Sequence, residues 1–421
     1  MSSVLPPSYS SSPPPPVYSN IRLKGEETIE FTPRGNAPST VSVNLTKTCS
    51  FLTIVLQGQN VAEDYPTYGR GSTLCGEIEL KSNASVLSVS VKLKGRLHVS
   101  ISDSGSTTVP VVSETVVLWS QASAHGGPCP KILPFSMTFP TTFEHAGRIR
   151  PIPPSFCEAF YQLPAASAQC TYMLKVTIHS SGSKVAFWRP SRSYSMQLNY
   201  RPRTRPPRPI FHMDRFLTTL KHIPEDWLEI ESTMRTRRTA SSDFKPISCR
   251  FFLPSVRAFG LSDSIPFHIQ LSTSLASLRL LLPDAISEAK QSSSIRVFIT
   301  RQTMVEVNTR KCWRTATLVE GTVRAVAPPV DSASVEGNDV YVDWEGEVRV
   351  EKDVVQSGGF NIGTVFIKDY IVFALTPPNP RSCPLLAHQY SQPIKLVTEA
   401  WTDDFTSHPS DTSSWLTRSA M

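Results

Sequence analysis

The sequence predicts an all-β protein in which two tandem β-sandwiches are joined by a Pro- and Arg-rich connector and flanked by disordered ends. Three observations carry this. Apolar residues recur at every second position in several separate stretches, helical periodicity is thin, and the 36 prolines break the chain into short segments. A chain of 421 residues has room for two domains of ordinary size, each with its own core.

The first nineteen residues read as a disordered tail with two related tetrapeptides, Pro6-Pro7-Ser8-Tyr9 and Pro15-Pro16-Val17-Tyr18. Both are Pro-Pro-x-Tyr. A Pro/Ser-rich end is commonly inert, and the duplication sets this one apart. Residues 20–200 read as the first sandwich. From Leu87 to Ile101 the odd positions are Leu, Val, Val, Leu, Gly, Leu, Val and Ile, with Ser, Lys, Arg and His between them. This is a strand buried on one face, since a helix would mix the two sets. Tyr172, Leu174, Val176 and Ile178 repeat the pattern, and Phe51 to Leu56 and Thr115 to Trp119 read as shorter strands.

Residues 201–244 read as the connector. Arg201, Arg203, Arg205 and Arg208 alternate with prolines that cannot donate to a sheet, which excludes a central strand. Phe211 to His222 predicts a short helix ending before Pro224, and Asp284 to Gln291 a second one further on. Residues 245–400 read as the second sandwich. Its strands are marked by Ile265, Phe267, Ile269 and Leu271, by Ile295 to Ile299, by Val340, Val342, Trp344, Val348 and Val350, and by Tyr370 to Leu375. The Ser/Thr-rich residues 401–421 close the chain as a disordered tail.

Composition narrows the functional classes. No basic patch followed by an apolar run marks a signal peptide, and no apolar stretch is long enough to span a bilayer, so a soluble, cytoplasmic protein is expected. The eight cysteines are scattered singly, without the paired spacing of a zinc site, and read as reduced thiols. No metal or cofactor is expected. Catalytic signatures are absent: there is no Gly-x-Ser-x-Gly, no phosphate loop and no His-Glu-x-x-His. Gly358 to Gly363 is Gly-rich, but the β-like Thr364 to Ile367 follows it, which predicts a hairpin turn and not a phosphate cradle. The protein therefore reads as a non-enzyme. A carbohydrate-active sandwich would require two carboxylates facing each other across a cleft.

Ordered motifs resemble one family. Gly76 to Leu80 (GEIEL) followed by Val89 to Gly95 (VSVKLKG) looks like a strand pair of an arrestin N-domain. Leu133 to Met137 (LPFSM), Pro153 to Phe156 (PPSF) and Cys170 to Val176 (CTYMLKV) follow in the order and spacing of that domain's second half. Leu261 to Phe267 (LSDSIPF) and Trp344 to Val348 (WEGEV) resemble the C-domain of alpha-arrestins, the arrestin-related trafficking adaptors. The resemblance covers residues 20–400 and implies two arrestin-like sandwiches. Family members carry Pro-Pro-x-Tyr motifs that recruit WW-domain ubiquitin ligases of the HECT class. In many of them the motifs lie toward the C-terminus, whereas here they precede the body.

Under that resemblance, Pro6, Pro7 and Tyr9 form one WW ligand, and Pro15, Pro16 and Tyr18 the other. A Pro-Pro pair is held near polyproline II before binding, so little ordering entropy is lost when it lies across aromatic side chains. The tyrosines are nine residues apart and so separated by at most ~28 Å of extended chain, enough for two small modules to bind side by side and gain avidity. The expected partners are such a ligase and the cytoplasmic segments of transporters or receptors, with peripheral recruitment to plasma membrane and endosomes. A scaffold of the same fold that sorts vesicle cargo without a ligase, as the arrestin-like subunit of retromer does, is the competing reading.

Two further segments invite partners. Arg201, Arg203, Arg205 and Arg208 read either as a solvated linker or as weak contacts to an acidic membrane surface or acidic cargo. Nucleic acid is not expected, since no aromatic platform accompanies the charge. Ser241 follows Arg237 and Arg238 at the spacing basophilic kinases favour, and its phosphate would suit a reader of the 14-3-3 type.

Overall fold

The computed structural model describes residues 43–59, 65–123, 127–181, 191–210, 216–261, 263–282, 294–326, 339–351, 355 and 357–401. Among them are twenty-two strands and two short α-helices. The first strands are β1 (Val43–Thr48), β2 (Leu52–Gln59), β3 (Thr67–Tyr68), β4 (Thr73–Leu80), β5 (Val86–Ile101), β6 (Gly105–Ser120) and β7 (Ile132–Thr138). They are followed by β8 (Thr142–His145), β9 (Arg148–Pro151), β10 (Phe156–Phe160), β11 (Ala166–Ser180) and β12 (Ser191–Tyr200). One sheet has the order β1-β2-β4-β7, and the other β3-β12-β11-β5-β6 with β10 beside β11. The β8 and β9 strands pair only with each other, as a hairpin that turns at Ala146 and Gly147.

The period-two pattern sets this half. Along β5 every odd residue from Val89 to Ile101 is buried, and no even residue between them is. β11 runs antiparallel beside it, with Leu174 opposite Leu93 and Val176 opposite Val91, so the apolar faces of both strands form one layer. Gly95 sits opposite Tyr172, and a Cβ at position 95 would come within 2.6 Å of the Tyr172 ring. The missing side chain lets that ring lie over the β5 backbone. There it joins Tyr68, Phe139 and Tyr200, with ring centroids 5.3 to 5.9 Å apart. The Tyr172 hydroxyl donates to the Pro153 carbonyl at 2.6 Å, which satisfies the buried polar end of the cluster.

The second half contains α1 (Phe216–His222), β13 (Trp227–Met234), β14 (Ile247–Pro254), β15 (Ala258–Gly260), β16 (Ser264–Ser274) and α2 (Leu275–Leu281). After these come β17 (Ile295–Val307), β18 (Arg310–Glu320), β19 (Thr322–Val326), β20 (Asp339–Arg349), β21 (Val365–Leu375) and β22 (His388–Val397). Its two five-stranded sheets have the orders β13-β14-β16-β20-β19 and β15-β22-β21-β17-β18. The all-β fold is as the sequence predicts.

Details of the boundaries differ. β13 lies within the span read as connector, and its full-length pairing with β14 makes residue 227 the start of the second sandwich's first sheet. The α1 helix falls inside the predicted helical stretch and ends at His222. The helix predicted over Asp284 to Gln291 lies outside the described residues. A short helix, α2, precedes that span, and there the Ser274 side chain caps the Ser277 amide. Gly358 to Gly363 is indeed a turn, closed by the Ile362 amide on the Val365 carbonyl at 3.0 Å.

The two sandwiches do not meet across a solvated gap. Val305, Val307 and Cys312 of the β17–β18 hairpin, with Ile362, Val365 and Ile367 at the start of β21, belong to the buried cluster of the first sandwich. Phe360 packs on Phe156 with ring centroids 5.0 Å apart. Polar ties flank this apolar joint: Arg314 donates to the Gln162 and Pro164 carbonyls at 3.0 and 2.7 Å, and Asn308 to the Ser104 carbonyl at 3.0 Å. The joint thus extends the first sandwich's core with residues from both halves.

Candidate functional site

The connector crosses this joint as a packed strap. Pro206 is buried, and every other residue from Arg201 to Arg205 is at least partly covered. Thr204 and Thr398, just after β22, bond reciprocally: the Thr204 amide donates to Thr398 Oγ1 at 2.8 Å, and the Thr398 amide to Thr204 Oγ1 at 3.0 Å. The Arg201 amide donates to the Tyr68 carbonyl at 2.8 Å. A segment with no sheet pairing is thus held by single bonds to both sandwiches.

Glu399 gathers the strap's charge. Arg203 grips both of its carboxylate oxygens, with Nη2 2.7 Å from Oε2, and Arg205 Nε donates to Oε2 at 3.1 Å. Burial pushes the Glu399 carboxyl up, but the hydrogen bonds and charge of the two arginines more than offset it, and it ends below the usual carboxylate value. Arg208 faces Asp226 at 3.6 Å and donates to the Ser255 hydroxyl. The arginines read from the sequence as a patch for an acidic membrane or acidic cargo therefore have partners within the chain. Arg203 and Arg205 are neutralised by a residue 194 or more positions away, which no local pattern announces.

Above the strap lies a cavity of about 530 Å³, within the size range of small-molecule pockets. The first sandwich supplies Tyr200 and the run from Ile149 to Pro154, the strap supplies Arg201, Pro202 and Thr204, and the second sandwich supplies the segment 357–362 with Lys395 and Leu396. Four cationic residues, Arg70, Arg150, Arg201 and Lys395, line it, and among the described residues no Asp or Glu does. The β8–β9 hairpin carries Arg150 across the joint to Gly363, whose φ is +89° and where a Cβ would approach the guanidinium to 3.0 Å. The Arg150 Nε is buried and has no hydrogen-bond partner.

Behind the 357–362 wall lies the most deeply buried ion pair among the described residues. Arg301 of β17 and Asp369 of β21 are cross-strand partners, joined by two parallel bonds of 2.8 and 3.0 Å, and Arg301 also holds the Ser357 carbonyl at 3.0 Å. Both side chains are almost wholly buried, at 7% and 0% exposed. Glu158 on β10 faces this pair from the first sandwich. Its burial raises the carboxyl above the ordinary value, the Arg301 charge opposes that rise, and the Asp369 charge adds to it.

The remaining predicted residues separate cleanly. Pro6, Pro7, Tyr9, Pro15, Pro16 and Tyr18 lie outside the described residues. Ser241 is exposed in the β13–β14 connection, and its hydroxyl donates to Asp243 at 3.1 Å. Of the two arginines before it, Arg237 is committed to the Cys383 and Pro380 carbonyls at 2.9 and 2.7 Å, leaving Arg238 as the exposed one. Arg150, Glu399 and the Arg301–Asp369 pair were not singled out by sequence. Only the alternating pattern around Arg301 and Asp369, where a charge falls on a buried register, carries a local signal for them.

Among the described residues no helix is long and apolar enough to cross a membrane, and no cluster of three metal-ligating side chains occurs. No family model matches the chain, and no curated protein is significantly similar to it.

Proposed function

We propose that the protein is a non-enzymatic adaptor of the alpha-arrestin kind: its two Pro-Pro-x-Tyr motifs recruit a WW-domain ubiquitin ligase of the HECT class. The two-sandwich body engages the cytoplasmic segment of a membrane protein, and the ligase carries out the chemistry beside it. The observation that carries this reading is the combination of a duplicated polyproline-type ligand with a body of two interlocked sandwiches. Pro-Pro-x-Tyr segments need no fold of their own to be bound, because their backbone is already extended. A body locked at its joint offers cargo a fixed set of edges and faces, which lowers the ordering cost of binding.

The outcome is ubiquitination, endocytosis and sorting of a transporter or receptor at the plasma membrane and endosomes. Quantitative proteomics of surface membrane proteins tests it. Deleting the protein raises the surface level of at least one transporter, the wild type restores it, and the double variant Tyr9→Ala/Tyr18→Ala does not. A surface inventory unchanged by deletion, or equal rescue by the double variant, overturns the proposal. Equal rescue would favour a sorting scaffold that needs no ligase.

A further inference from the structure

We propose that the outer face of the first sandwich's larger sheet docks on an acidic phospholipid bilayer. Residues opposite one another on antiparallel strands share a face, and the register puts Lys92, Lys94 and Arg96 of β5 and Lys175 of β11 on the side turned away from the core. Lys92 and Lys175 are direct cross-strand partners, a like-charge pairing that costs a sheet stability. Their neighbours in the same row are Ser195 and Thr115, and no charge of opposite sign joins them. Glu114 is the one carboxylate on β5, β6, β11 and β12, and it stands opposite Leu93, on the other face.

The four cations crowd one another. The Lys94 ammonium lies below the ordinary lysine value, through partial desolvation first and then through the charges of Arg96, Lys92 and Lys175. Arg203, Arg205 and Arg208 of the connector are paired within the chain, whereas among the described residues none of these four is in an ion pair. The shape of the face selects its occupant. β5 and β11 are interior strands, so no free backbone edge is offered there to an extended acidic peptide. No Phe, Tyr or Trp of the four strands shares a row with the cations to stack nucleic-acid bases. Lysine and arginine spread among hydroxyl and amide side chains match a plane of anionic headgroups. Beside the bulge of β6 lies a recess of about 360 Å³, lined by Lys94, Arg96, Thr108 and Ser113, which admits one headgroup phosphate.

Co-sedimentation of the full chain with phosphatidylcholine vesicles, with and without phosphatidylserine, tests the face. Capture is expected only with phosphatidylserine, and it weakens steeply as salt is added. Lys92→Gln/Lys175→Gln and Lys94→Gln/Arg96→Gln each weaken it about twentyfold, at about fivefold per charge removed. Arg324→Gln, which removes a paired surface arginine of the second sandwich, leaves it unchanged. A footprint on the wild type keeps the test independent of how the variants fold: vesicles protect Lys92, Lys94 and Lys175 from acetylation and leave Lys131, on the opposite sheet's side, reactive. A bilayer-facing sheet would set the adaptor beside its cargo, a setting that rests on the function proposed above. The vesicles carry neither cargo nor ligase, and Tyr9→Ala/Tyr18→Ala binds them like the wild type, so either proposal can fail without the other. This one is overturned by capture that is absent or indifferent to phosphatidylserine, by face variants that bind like the wild type or no worse than Arg324→Gln, by lysines that stay reactive on vesicles, or by a polyglutamate peptide or polyuridylate that binds this face where vesicles do not.

Discussion

The two sandwiches share an architecture and differ in what they bury. The first encloses apolar and aromatic side chains almost exclusively; Gln59 is its one buried polar residue among those described. The second encloses Arg301, Asp369, His268, Thr300, Thr303 and Gln392. An apolar core can form in any register that matches its period, whereas a buried ion pair is tolerated only in the one arrangement that satisfies it. Arg301 and Asp369 lie where the second sandwich enters the first, so the polar interior fixes the geometry of the joint while the aromatic interior supplies bulk.

Breaking the ion pair gives the largest expected effect. Asp369→Ala leaves the Arg301 guanidinium buried without its carboxylate and should cost about 3–5 kcal/mol in denaturant unfolding, with the second sandwich losing cooperativity first. A loss below about 1 kcal/mol would show that the pair is replaceable, and the contrast between the two interiors would fall.

The matching lesion in the aromatic interior is smaller. Gly95→Ala places a methyl group against the Tyr172 ring and should cost about 1–3 kcal/mol, since the ring must shift within a packed cluster. A crystal structure of the variant would show Tyr172 displaced, with its bond to the Pro153 carbonyl stretched or lost.

These two sites also mark how far the sequence can be read. Gly95 stands at a buried position of a strand whose alternation is plain in the sequence, and β5, β11 and β16 follow from period alone. β6 is longer than its readable stretch because its first ten residues are mostly exposed on an edge strand, and a bulge at Val111 beside Pro110 breaks their alternation. β13 is not legible because its buried residues, Trp227, Ile230 and Met234, do not fall at every second position. Glu399 could not be found, because its partners lie across the whole second sandwich in sequence. Charge pairing at that distance is set by topology, and local pattern holds no trace of it.

Two joint carboxylates sharpen the contrast further, because their shifts have opposite signs. Glu399→Gln should cost about 1–2 kcal/mol at neutral pH, the value of a charge-assisted hydrogen bond discounted for partial exposure. Since its pKa is lowered in the folded chain, this contribution is present above the ordinary 4.5 and is lost as pH falls through the lower folded value. Glu158→Gln should act in the other direction and by less, raising the melting temperature at neutral pH. Its pKa is raised above 4.5, so ionisation costs the fold stability as pH rises through the folded value. The gain from the variant fades as pH falls back toward 4.5, which thermal melts across pH 4 to 8 would register. Shifts of the same sign in both variants would remove the distinction.

In the proposed adaptor the body and the motifs that precede it divide the work, and that division can be tested on the full chain. Titration with a tandem WW-domain protein, run alongside thermal melts, measures both parts at once. The account predicts that Tyr9→Ala or Tyr18→Ala alone removes the avidity of linked binding, about 10² to 10⁴ in affinity. The double variant should abolish binding while its melt stays that of the wild type. A double variant that still binds the tandem WW protein as tightly as the wild type would contradict it.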